Sequence, residues 1–384
     1  MFCSSPGKGI KGPSKVMIEP LDRKIIQVDG SYGEGGGQIL RTSLGLSCVL
    51  GRTIEVDNIR KTRRKPGLQP QHLTAVKAAA AICNARVEGA ELSSTSLRFS
   101  PGRIIGGDYS FDVAEKTGSA GSTSLVLQTI MLPLCFAERP STVTISGGTH
   151  VPWSPAYHYL RHVFSTALSR GGASMDISIE KWGWYPIGGG RVFARIDPIR
   201  AFSLNAIIER GKLKRVSGIS AVSNLPQDIA IRQRSRALNS LRQRNVDAAI
   251  EVVSAPSPGK GTFVFLLAEF DNIAAGFDAL GAPGKRAEAV ADEACCALFE
   301  YLDTTGALDP HLADQIIPYC VLSESASEFT TSRVTRHLLT NIWVVQQFTS
   351  AVISVEGKVG EPGRIRVRPG WRNGETRRHG DAGD

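Results

Sequence analysis

Glu34 lies in the run Asp29-Gly-Ser-Tyr-Gly-Glu34-Gly-Gly-Gly37-Gln38-Ile-Leu-Arg41, between an expected strand and an expected helix. The free N–H groups of a helix start face outward there, and glycine backbone can approach a phosphate closely. A carboxylate in such a turn could hold a divalent cation, and Arg41, one helical turn in, could meet phosphate oxygens. A second run, Arg60-Lys61-Thr62-Arg63-Arg64-Lys65, puts five cations in six positions before Pro66-Gly67 turns the chain toward Gln71 and His72. Guanidinium groups grip phosphate in a bidentate way and, on a fixed loop, stabilise charge on a transferring phosphoryl group. Charge runs are commonly solvated faces. Here the Pro-Gly turn and the helix beyond it pin the run to a scaffold, which favours function.

Three histidines compete as nucleophile. His337 follows Arg333 and Arg336 near a helix start, and neighbouring cations depress an imidazole pKa and keep the ring neutral. His311 opens His-Leu-Ala-Asp314-Gln315, where the nearby acid favours its protonated form. His72 closes the basic loop. A lone histidine is more often a packing or capping residue, and the chemistry by itself leaves all three in play.

Further Gly-rich loops at Thr117-Gly-Ser-Ala-Gly-Ser-Thr123, Ser146-Gly-Gly-Thr-His150 and Pro186-Ile-Gly-Gly-Gly-Arg191 sit between strands and other elements, where ligands gather in α/β proteins. No G-K-[ST] occurs, so there is no Walker loop. The G-x-G-x-x-G match at Gly7, Gly9 and Gly12 has no strand before it and is set aside.

The elements that must position these residues alternate along the chain. Strands are expected at 24–28, 53–59 and 96–99, and helices at 37–50 and 69–84. A similar set recurs over 108–198 with helices at 124–136 and 157–169, and a shorter one over 311–367. The stretch 206–305 breaks this rhythm with a strand at 218–222, a basic helix at 228–244, strands at 249–254 and 263–270, and a helix at 286–302. The expected organisation is a polar tail at 1–22, a large repeated α/β domain at 23–205 and 306–369, a small inserted α/β domain at 206–305, and a tail at 370–384. Among 384 residues, 45 Lys and Arg oppose 36 acids, a net charge of +9 that favours a polyanionic partner. Seven scattered cysteines without a C-x-x-C pair argue against a disulfide framework or zinc ribbon and suit a reducing cytoplasm. No apolar run is long enough to span a bilayer, so no membrane partner is expected.

Together the motifs resemble the RNA 3'-terminal phosphate cyclase family, in its catalytic, histidine-retaining branch. DGSYGEGGGQILR, RxxRxKPGLxxQH, GSAGST with LVLQT, SGGT, YPxGGG, LADQ and HLLTNI follow the family's order from Lys24 to Val367. The resemblance implies three repeats of a two-helix, four-stranded unit, similar to enolpyruvyl transferases. It also implies an inserted domain similar to the C-terminal part of translation initiation factor 3. The reaction implied is ATP-dependent conversion of an RNA 3'-phosphate to a 2',3'-cyclic phosphate, through adenylyl-histidine and an RNA adenylate. His337 is the implied nucleophile, and Glu34 the implied ligand for Mg²⁺ or Mn²⁺. Arg41, Arg60, Arg63, Gln71 and Gln128 match residues around the ATP phosphates and the active site. Pro155, His311, Asp314 and Gln315 match the surroundings of base and ribose, with His311 standing where some members carry Tyr. The alternative within the fold, cyclase-like proteins of ribosome assembly that catalyse nothing, lacks the histidine.

Overall fold

The computed structural model describes residues 25–113 and 120–370. The expected tail at 1–22, the tail at 370–384 except Gly370, and Thr117–Ser119 lie outside these residues.

The first unit contains β1 (Ile26–Asp29), α1 (Gly37–Leu50), β2 (Ile54–Asp57), α2 (Pro70–Cys83), β3 (Arg86–Glu88) and β4 (Leu97–Ser100). The sheet order is β1-β2-β4-β3, with β1 parallel to β2 and the other pairs antiparallel. Helix α1 buries Ile39, Leu40, Leu44 and Leu46 and stops at Gly51, whose left-handed backbone (φ 61°) closes the last turn. Pro70 starts α2 with its φ preset for a helix, and Asn84 ends it in the same left-handed state.

The second unit repeats this wiring with β5 (Asp108–Asp112), α3 (Thr123–Leu134), β6 (Ser141–Gly147), β7 (Ser174–Lys181) and β8 (Gly190–Asp197), ordered β5-β6-β8-β7. The helix expected at 157–169 is broken: α4 (Tyr157–Tyr159) and α5 (Ser165–Ser169) flank a π-helical turn at Leu160–Phe164. Along β8 buried and exposed residues alternate, so one sheet face packs inward and the other meets solvent.

The stretch expected to be an insert forms its own sheet from β9 (Leu213–Ser223), β10 (Ala248–Ser254), β11 (Gly261–Phe270) and β12 (Ala274–Leu280), ordered β10-β9-β11-β12. Strand β12, an Ala- and Gly-rich segment that reads poorly as a strand, is held by its ladder to β11. Helices α6 (Gln227–Gln243) and α7 (Ala287–Leu302) pack beside this sheet around a separate core that includes Val216, Leu241, Val264, Leu266 and Leu298. Two of the four arginines of α6 are paired internally. Arg232 pairs with Asp228 and Glu288, and Arg236 with Asp292.

The third unit holds α8 (Pro310–Gln315), α9 (Ile317–Val321), β13 (Ser327–Thr331), α10 (Arg336–Phe348), β14 (Val352–Glu356) and β15 (Gly363–Arg368), with sheet order β13-β15-β14. Its first-strand position, beside β13, is shared by two distant segments. Ile207 bridges Phe329 and Leu308 bridges Thr331, both in parallel. The small domain thus interrupts a strand of the third unit. Helices of all three units meet at the centre, where α1 packs against α2, α3 and α10.

The seam between the second unit and the small domain is aromatic. His150 stacks on Trp182 (centroids 3.9 Å apart), and Phe263 of β11 lies edge-on to it. The Gly183 N–H donates to Thr149 Oγ1, which also pairs with His150 Nδ1 (2.8 Å), and His150 Nε2 pairs with His158 Nδ1 at 3.1 Å. Burial, then the charge of His162, lowers the His158 pKa to about 3, and burial holds His150 well below its ordinary value. Both are neutral when folded but protonate near pH 6.5 once unfolded. Their stabilisation is therefore full above pH 6.5 and is lost as pH falls toward 3. The urea midpoint should drop steadily from pH 7 to pH 4, with His158 costing about 3 kcal/mol over that range. His158→Phe should flatten the profile; an unchanged profile would contradict this account of the seam.

Candidate active site

The turn from Asp29 to Gly37 is built to be approached. Asp29 Oδ1 accepts from the Ser31 N–H (3.0 Å), the Ser31 hydroxyl (2.7 Å) and Asn58 Nδ2 (3.1 Å), which fastens the turn to the loop after β2. Gly33 is left-handed (φ 57°), and a Cβ there would strike the Thr340 hydroxyl on α10. A Cβ on Gly37 would strike the His72 ring and crowd the Arg41 guanidinium. Side chains in this turn would push α10 and the α2 start away. Without them, α10 comes close enough for Thr42 Oγ1 to donate to Asn341 Oδ1 (2.7 Å) and for Tyr32 to stack on Trp343 (3.9 Å). Asn341 in turn donates to the Asp314 carbonyl (2.6 Å), tying in α8.

His337 is the second residue of α10, whose first turn is capped by the Thr335 hydroxyl accepting from the Leu338 N–H. Its ring is held at both nitrogens. Nδ1 lies 2.9 Å from Gln38 Oε1, and Nε2 lies 2.9 Å from Glu34 Oε2. Desolvation by the surrounding walls lowers the His337 pKa; Glu34 opposes this, while Arg41, His311 and Arg63 reinforce it. The ring is therefore neutral at pH 7. Arg333, expected to supply the positive environment, instead pairs with Glu300 at 3.5 Å. The arginines that act on His337 come from the first unit.

His337 lines a cavity of about 460 Å³ together with Arg41, Gln128, Pro155, His311, Asp314 and Gln315. Arg41 is buried, which lowers its pKa to about 10; Asp314 counteracts this in part, and Arg41 remains charged at neutral pH. Burial drives the Asp314 carboxyl well above the ordinary range. Gln128 Nε2 donates to Gln315 Oε1 at 2.7 Å across the cavity wall. Asp309 caps α8: its Oδ1 accepts from the backbone N–H groups of His311 (2.9 Å) and Leu312 (3.0 Å) and from the Tyr159 hydroxyl (2.8 Å).

The other expected residues stand outside the cavity lining. The Arg63 guanidinium lies over Gly36, at the open start of α1. Arg60, left-handed at φ 55°, donates through Nη1 to the carbonyls of Lys65 (2.7 Å) and Gly67 (3.0 Å), so it braces the basic loop. Gln71 Oε1 accepts from the Ser122 N–H at 3.0 Å, at the cap of α3. His72 is a capping residue: its Nδ1 accepts from the Gln69 N–H, and burial, then Arg41 and Arg60, lowers its pKa to about 3. Gln38, Thr42, Tyr159, Asp278 and Asn341 also line the cavity and were not singled out from sequence. Asp278 comes from the small domain, where burial, with Glu293 adding, raises its pKa to about 7. Among the described residues no three His, Cys, Asp or Glu side chains gather into a metal cage. No helix there is long and apolar enough to cross a membrane.

A buried arginine, an open helix start and a neutral, doubly anchored histidine around one cavity suit transfer of a phosphorus group through a covalent intermediate. Comparison with known proteins identifies the family. A family model described as RNA 3'-terminal phosphate cyclase matches residues 32–355. A protein of that name from Methylococcus capsulatus is 46% identical over 348 residues, spanning 89% of this chain and 96% of the relative. Its namesakes from Nostoc punctiforme and Pyrobaculum aerophilum are 44% and 43% identical, each covering 96% of the relative's length and 86% and 87% of this chain. Among solved structures, the enolpyruvyl transferase NikO from Streptomyces tendae aligns with a TM-score of 0.24 and 7% identity, over 90% of this chain and 65% of that one. That likeness is too slight to carry an argument; the sequence matches carry it, and this chain belongs to the RNA 3'-terminal phosphate cyclase family.

Proposed function

We propose that the chain uses ATP to convert an RNA 3'-phosphate into a 2',3'-cyclic phosphate, with His337 as the adenylylated residue. The observation that carries this reading is the neutral His337 ring, anchored by Glu34 and Gln38 at a cavity that also holds Arg41. The cavity wall of Pro155, His311, Asp314 and Gln315 offers apolar, ring and polar contacts for adenosine. Arg41 and Arg63 stand where triphosphate oxygens would lie, next to the outward N–H groups of α1.

In the first step the imidazole lone pair attacks the α-phosphorus; a nitrogen–phosphorus bond forms and the bond to pyrophosphate breaks. The arginines take up the charge growing on the leaving group. The RNA 3'-phosphate then attacks the same phosphorus and frees the histidine. Finally the vicinal 2'-hydroxyl attacks the 3'-phosphorus and expels AMP. Lys61, Arg64 and Lys65 are exposed on the loop braced by Arg60 and offer the RNA backbone positive charge. Glu34 fits a divalent ion such as Mg²⁺ or Mn²⁺ as a single hard oxygen donor, with nucleotide oxygens and water completing its shell. Such an ion would neutralise triphosphate charge and orient the leaving group.

RNA ending in a labelled 3'-phosphate, incubated with ATP and Mg²⁺ or Mn²⁺, should become resistant to phosphatase. His337→Ala should lower that rate by at least about 10³-fold while leaving the thermal unfolding midpoint near that of the parent. Cyclisation by the alanine variant at the parent rate would contradict the reading, and the non-catalytic alternative predicts no product from either protein. Glu34→Ala should slow adenylylation and move the metal titration to higher concentration. Superimposable metal titrations of parent and variant would remove Glu34 from that role.

A further inference from the structure

The two contacts on His337 make incompatible demands on its proton. Glu34 is an acceptor, so the 2.9 Å approach of its Oε2 to Nε2 needs a proton between them. Attack by a ring nitrogen needs a bare lone pair. Nδ1 faces Gln38, whose side chain fills that edge of the ring at 2.9 Å and blocks any approach from the cavity. Nε2 is therefore the nitrogen that can reach a substrate, once Glu34 is drawn off it. The ring must then carry its proton on Nδ1.

Gln38 and Arg41 stand three residues apart on the first turns of α1, so one helix face serves both the ring and the cavity. A carboxamide can meet either tautomer. Its nitrogen donates to a bare Nδ1 while Nε2–H rests on Glu34, and, rotated by half a turn, its oxygen accepts from Nδ1–H.

We infer that Gln38 is a positioning residue for His337, accepting from Nδ1–H so that Nε2 carries the lone pair that attacks. This rests on the proposed adenylyl transfer and deepens it. As the nitrogen–phosphorus bond forms and pyrophosphate leaves with its electron pair, the ring becomes cationic and keeps its Nδ1 proton. The Gln38 oxygen faces that positive charge and stabilises it. When the RNA phosphate takes the adenylyl group, the electrons of the nitrogen–phosphorus bond return to Nε2 and the ring is neutral again.

The test compares the parent protein with Gln38→Leu and Gln38→Glu in single-turnover adenylylation with α-labelled ATP. Leucine keeps the bulk and removes the acceptor. The maximal rate of Gln38→Leu should fall by about 10- to 100-fold, the scale of losing a group that orients a functional histidine, with half-saturation by ATP little changed. Gln38→Glu, which can always accept, should keep most of the parent rate. NMR of adenylylated, ¹⁵N-histidine-labelled parent should show phosphorus coupled to Nε2 and a slowly exchanging proton on Nδ1. Three results would each overturn the inference: a full-rate leucine variant, a change confined to ATP half-saturation, or AMP on Nδ1. Equal impairment of folded Gln38→Glu and Gln38→Leu would also overturn it, because side-chain shape would then be the cause. No labelling of the parent protein would instead sink the adenylylation reading itself.

Discussion

Everything at the active site depends on how closely the Gly33–Gly37 turn lies against α10. A Cβ at Gly33 would meet the Thr340 hydroxyl, and that absent atom lets two helices from opposite ends of the chain share one cavity. The contacts that follow span 299 residues of sequence: Thr42 with Asn341, and Gln38 with His337. Loop closure over that length is costly in entropy, and it is offset by the buried helix packing of α1 with α3 and α10. The first unit thus supplies the cations and the third unit His337.

The same closeness organises the electrostatics. Arg41 is buried beside the His72 ring and stays charged because burial lowers its pKa only to about 10. His72 is forced neutral beneath it and spends its Nδ1 lone pair on capping α2. His337 is also neutral, yet half its side chain is open to solvent, with 46% exposed. Of the two neutral rings only the one on α10 can meet a substrate. Burial and capping make one histidine structural; exposure at the cavity makes the other available.

The helices and most strands were legible in the sequence because their periodicity and stop signals are local. Gly51 and Asn84 end α1 and α2 through backbone states that glycine and asparagine reach at little cost. Strand β12 was not legible, since Ala274–Leu280 becomes a strand only through its ladder to β11. Nor was the π-helical turn in the helix expected at 157–169. Glycine spacing and basic residues marked the Gly33–Gly37 turn, and motif order marked His337. The partners of His337 were obscured, because Arg333 is adjacent in sequence but pairs elsewhere, while Gln38 and Arg63 arrive from the far end of the chain. Arg60 and Gln71, marked by the family's motifs, also brace the basic loop and the α3 cap through their hydrogen bonds, which residue order does not reveal.

The central claim is that one histidine, made neutral by desolvation and by cations from another repeat, becomes covalently modified. Peptide mapping by mass spectrometry after incubation with ATP and a divalent cation tests it most directly. The account predicts a single peptide heavier by one adenylyl group, with the modification on His337. An adenylyl group on His311, His72 or a lysine would contradict it.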